Sequence, residues 1–133
     1  MKLKSALFLT VALTAATSAW ATPATDALFA RYKAEGASNF DAEHGKKAWH
    51  KEVKNDKGET HSCETCHGTD LTKQGKHEET KKVIEPMAPS VNAERFTDEK
   101  KIEKWFKRNC KEVLSRECTP QEKGDFLKYL LTL

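Results

Sequence analysis

Cys63-Glu64-Thr65-Cys66-His67 is the stretch on which the reading of this chain turns. Cys-x-x-Cys-His is the pattern by which a haem is joined to protein through two thioethers. Two intervening residues bring both sulfurs within reach of the porphyrin vinyl groups, and the following histidine aims its imidazole at the iron as proximal ligand. A bare Cys-x-x-Cys has rival readings: a dithiol redox pair, half of a zinc site, or two ordinary buried thiols. The adjacent His67 argues against all three. The expected cofactor is one covalent haem c, held by Cys63, Cys66 and His67.

Upstream, Lys2 and Lys4 lead into an apolar run from Ala6 to Ala16, and Ala19-Trp20-Ala21 offers small residues where a signal peptidase reads them. Residues 1–21 are therefore expected to be a cleaved signal peptide and residues 22–133 a single domain. The apolar run is too short to span a bilayer, no second one follows, and no cysteine lies at the cleavage point to take a lipid. Export to the periplasm without a membrane anchor is the expectation, and that compartment drives thiols toward disulfides. Hydrophobic residues make up 38% of the chain and charged residues 32%, so a large flat haem is needed to fill a small core. Without the two signal lysines, the remaining 21 basic residues almost balance the 20 acidic ones, which gives no support to nucleic-acid binding.

No stretch shows strand alternation, and the class reads as all-α. A first helix is expected from about Asp26 to Glu35, stopped by Gly36, and a second from about Asp41 to Val53, stopped by Asn55-Asp56-Lys57-Gly58. Gly68 to about Lys82 reads as loop or weak helix. Thr97 or Asp98 opens a third helix, with acidic residues complementing its dipole. Thr119-Pro120-Gln121-Glu122 is a capping box launching a C-terminal helix to Leu133. Gly45 should let the second helix and the C-terminal helix cross closely.

Function then turns on the other face of the iron. Met87, between Pro86 and Pro89, is the usual choice of electron-transfer cytochromes c, although it lies only 20 residues after His67. Asn109 is the other candidate. It shares a helix face with Ile102, Trp105, Phe106 and Val113, and a buried carboxamide without a partner costs about 1–3 kcal/mol. Its partner is the iron, a carbonyl or a water. Cys110 and Cys118 are the cysteines outside the haem motif, and an oxidising compartment makes them a disulfide, either a plain staple or one that fixes Asn109. His44, His50, His61 and His77 lie among polar residues, where a solvated imidazole is expected.

Trp105-Phe106-Lys107-Arg108-Asn109-Cys110, Arg116-Glu117-Cys118-Thr119 and Asn92-Ala93-Glu94-Arg95-Phe96-Thr97-Asp98 together resemble the sphaeroides haem protein family of high-spin monohaem cytochromes c. The resemblance covers most of residues 22–133 and implies a class I cytochrome c-like fold of short helices around the haem. It further implies His67 and Asn109 as axial ligands of ferric iron and a Cys110–Cys118 disulfide beside Asn109. Binding of diatomic gases such as oxygen or nitric oxide follows once Asn109 leaves reduced iron, with a dihaem cytochrome c as electron donor. The chain is expected to be a monomer. Two other classes stay open: a plain His/Met electron carrier using Met87, and a haem-free dithiol oxidoreductase. No proton-delivery chain or substrate pocket is legible, so enzymatic turnover is not implied.

Overall fold

Thr22 caps the first helix, its hydroxyl accepting the Thr25 N–H while the Thr25 hydroxyl takes the Thr22 N–H. With Pro23 preset for the first turn, α1 (Pro23–Ala34) starts three residues before the expected Asp26, and Gly36 at φ +100° turns the chain away after it. The computed structural model describes residues 20–54 and 56–133, so the expected signal segment lies almost wholly outside the described residues, as does Asn55. Asp41 caps α2 (Ala42–His50), accepting the Glu43 and His44 N–H groups.

α2 ends three residues before the expected Val53. There the chain turns into β1 (Val53–Lys54), which pairs antiparallel with β2 (Thr60–His61) around a turn with Gly58 at φ +83°. α3 (Glu64–His67) is the single turn that carries most of the haem motif. The polar stretch after it is neither loop nor weak helix throughout, since β3 (Gly75–Lys76) and β4 (Val83–Ile84) form a second hairpin. Strands of two residues are too short to show alternation, which is why the sequence reading finds none. They leave the all-α class unchanged. α4 (Glu99–Leu114) is capped by Asp98, and α5 (Pro120–Leu130) by the expected Thr119–Glu122 capping box.

The helices meet around two joined apolar clusters. α2 crosses α5 at Gly45, where any Cβ would collide with the Asp125 carbonyl. Beside that crossing the Asp125 carboxylate, 2% exposed, accepts the Asp41 N–H at 2.8 Å and Gln121 Nε2 at 2.9 Å, and meets His44 Nδ1 at 2.6 Å. On its other side α5 packs Leu127 with Leu28 and Tyr32 of α1 and Ile102 of α4. Tyr32 donates to Glu103, which also binds Lys123 at 2.9 Å and Arg31 at 3.1 Å. These contacts fix α4 against the crossed pair, and α4 carries the candidate distal ligand.

Candidate haem-binding site

His67 closes α3, and its ring stands 5.2 Å from that of Trp49 on α2, which in turn packs edge-on against Phe126 and Tyr129 of α5. Cys63 packs against this cluster. Behind the motif Gly75 of β3 lies so close to the Cys66 carbonyl and His67 Cα that a side chain there would strike both. The haem motif is therefore held between the α2–α5 crossing and the β3–β4 hairpin.

The chemistry of these groups fits a covalent haem. Burial, reinforced by the nearby Arg95 charge, pulls the His67 imidazole down to about 4, so it is neutral and can serve as a metal ligand. Two buried ring nitrogens here have no hydrogen-bond partner among the described residues, His67 Nδ1 and Trp49 Nε1. Cys63 and Cys66 are unbridged. Burial pushes the Cys63 thiol up to about 12 and also raises Cys66, whose sulfur accepts the Glu78 N–H at 3.4 Å. Dithiol oxidoreductases depend on a lowered thiol, so this pair is unsuited to the haem-free reading. Arg95 is half-buried, and its guanidinium donates to the Pro86 carbonyl at 2.7 Å and to the Glu85 carbonyl, both neutral acceptors. It offers an anionic haem propionate a cation beside the proximal histidine.

α4 brings the other ligand candidate to the same region. Asn109 is half-buried, and its carboxamide makes no hydrogen bond to any described residue. Next to it Cys110 is bridged to Cys118, with Cα atoms 5.6 Å apart, and both sulfurs are buried in the cluster that receives Cys63. Glu112, one turn beyond Asn109, bears electrostatically on the Cys66 thiol and pairs with His77 of the hairpin at 3.2 Å. The fold thus brings α4, at Glu112, within electrostatic reach of the haem motif.

The expected apolar stripe of α4 is only partly interior. Ile102 is buried and Phe106 half-buried, whereas Trp105 is 42% exposed and lies under the Arg108 guanidinium, 5.1 Å from its ring centre. Met87 packs against the Cys63 cluster, but the Met87 and Ala88 N–H groups both donate to the Leu71 carbonyl at 3.0 Å. Its backbone is tied to the segment just after His67. The histidines also differ from the expectation. His44 keeps an exposed side chain and His50 is half-buried, but His61 and His77 are only 20% and 23% exposed, and all four pair with carboxylates, those of Asp125, Glu64, Glu78 and Glu112. Sequence reasoning missed Trp49 and Arg95 as site residues, because a lone Trp or Arg has no spacing to mark it. No helix among the described residues is long and apolar enough to cross a membrane.

Residues 35–130 match the model of a family described as a domain of unknown function, DUF1924. The chain is 45% identical over 103 residues to cytochrome c-type protein SHP of Cereibacter sphaeroides, covering 77% of this chain and 79% of the relative. It is 40% identical over 88 residues to cytochrome c'' of Methylophilus methylotrophus, covering 66% of this chain and 61% of the relative. Among solved structures, oxidized SHP, described as an oxygen-binding cytochrome c, superposes with a TM-score of 0.72 at 41% identity, over 80% of this chain and 94% of that one. Oxidized cytochrome c'' superposes with a TM-score of 0.71 at 32% identity, over 82% and 94%. A solution structure of cytochrome c'', concerned with haem-ligand detachment, gives 0.71 at 33% identity, over 82% and 93%. With its Cys-x-x-Cys-His turn, its buried neutral imidazole and these relatives, the chain belongs to the sphaeroides haem protein family of c-type cytochromes and carries one covalent haem c.

Proposed function

We propose that this protein is a periplasmic monohaem cytochrome c in which Asn109 is a displaceable axial ligand, so that reduction opens the iron to a small gas. Cys63 and Cys66 form the thioethers, and His67 supplies the proximal imidazole. The haem brings a redox-active iron whose reduced form favours small π-accepting molecules such as oxygen or nitric oxide. The Asn109 carboxamide oxygen is a hard, neutral donor, better matched to ferric than to ferrous iron, so it would hold the reduced metal less firmly. Once displaced, its two amide N–H groups can donate to the incoming gas.

The observation that carries this reading is the Asn109 carboxamide without a partner among the described residues, next to the Cys110–Cys118 disulfide and one turn before Glu112, which bears on Cys66. The Met87 backbone, bonded to Leu71 four residues after His67, favours Asn109 over a His/Met site. Family membership favours it too, since one relative is described as oxygen-binding and the other by haem-ligand detachment. Electrons come from a partner protein, and the resemblance points to a dihaem cytochrome c. The Lys2–Ala21 segment supports export as a signal peptide.

Absorption and electron paramagnetic resonance spectra of the purified protein provide the test. Ferric wild type should be high-spin and should bind carbon monoxide when reduced. Asn109→Ala should change the ferric spectrum and Met87→Leu should not. A low-spin six-coordinate site that survives reduction and is lost in Met87→Leu would overturn the proposal in favour of a His/Met electron carrier.

A further inference from the structure

The outward side of α4 carries a row of lysines that the haem site does not use. At about 100° per residue, Lys100, Lys104, Lys107 and Lys111 fall roughly half a turn around the helix from Asn109. The first three border a groove of about 360 Å³ that Glu103, Glu117 and Lys123 also line. Its acidic residues are already engaged, Glu103 by Lys123 at 2.9 Å and Arg31 at 3.1 Å, and Glu117 by Lys111 at 3.4 Å. Lys100, Lys104 and Lys107 have no side-chain partner among the described residues. Three uncompensated cations thus lie in line on a rigid helix, in a chain whose charges otherwise nearly balance.

We infer that this face of α4 docks the acidic surface of a partner protein, carboxylates meeting Lys100, Lys104 and Lys107 while the cations paired with Glu103 and Glu117 keep those two from repelling it. The row holds no apolar residue that could enter a bilayer, unlike a membrane-binding amphipathic helix. Placed on the back of the Asn109 helix, the docked partner touches the element that carries the distal ligand. The proposal names where the electron donor of the preceding section binds and rests on that reading for its purpose, but the binding can be measured without any electron transfer.

Fluorescence anisotropy of labelled poly-L-glutamate, titrated with the haem-loaded protein, supplies the measurement. Wild type should bind with an affinity that falls as salt rises. Reversing Lys100, Lys104 and Lys107 together to Glu should weaken binding at least about tenfold, since each change removes an attraction and adds a repulsion. Reversing the exposed Lys46, Lys47 and Lys51 of the α2 region alters net charge equally and should weaken it less than about threefold. The corresponding Gln variants on α4 give a milder version of the same loss, and an unchanged haem spectrum shows that each variant is folded. Equal losses in the two sets, binding indifferent to salt, or tighter capture by phosphatidylglycerol vesicles than by poly-L-glutamate would overturn the inference. None of these outcomes bears on Asn109 ligation, which the ferric and ferrous spectra report separately.

Discussion

Arg95 and Gly45 show how single residues set this site. Arg95 holds the Glu85 and Pro86 carbonyls with its Nη2 and Nε atoms, and its charge reaches His67. A positive charge beside the iron favours the reduced state, so Arg95→Gln should lower the reduction potential of the loaded protein, as measured by spectroelectrochemistry, while the covalent haem is retained. Gly45 has the opposite character, being useful for what it lacks. Gly45→Ala would drive a methyl group into the Asp125 carbonyl and should cost about 1–3 kcal/mol in denaturant unfolding. The haem ligands on the His67 side were legible because a covalent attachment demands a fixed spacing. Arg95 was visible in the sequence only as part of the family resemblance.

At the level of elements, the caps are where sequence and structure agree most closely. Thr119 and Glu122 cap α5 reciprocally, and Arg116 holds the Glu122 carboxylate from outside at 2.7 Å. The hydrogen bond from Arg116, acting against burial and aided by the Thr119 N–H, brings Glu122 down to about 2. A depressed carboxylate stabilises the fold above its unfolded value, and that contribution is lost as pH falls from about 4.5 toward about 2. Glu122→Gln should therefore flatten the acid side of the melting-temperature profile across that window, and Thr119→Ala should cost about 1 kcal/mol at neutral pH. The hairpins escaped the sequence reading because two-residue ladders contribute almost no pattern. α2 stops at His50 because the chain must turn into β1, a tertiary demand that local propensity does not contain.

For the whole molecule, one disulfide joins the end of the Asn109 helix to the start of α5, and α5 is also the helix that crosses α2 behind the haem motif. Replacing both Cys110 and Cys118 by Ser should remove about 2–4 kcal/mol of stability, seen as a lower melting temperature of the loaded protein. If the staple also fixes Asn109, the same variant should broaden the ferric high-spin resonance into several species. A purely structural bridge would leave that signal unchanged.

The haem and the all-α class were legible in the sequence itself because they rest on adjacent or regularly spaced residues, and the disulfide because Cys110 and Cys118 are the cysteines left outside the haem motif. Asn109 was legible as a polar residue on an apolar helix face. Only the tertiary structure decided that its carboxamide finds no partner among the described residues, that Met87 is bonded to the Leu71 carbonyl, and that Trp105 is exposed rather than interior. The physical reason is that a ligand's availability depends on which groups fold around it. Residues far apart in the chain, such as Cys66 and Glu112, are brought together only by the packing of α4 on the crossed helices.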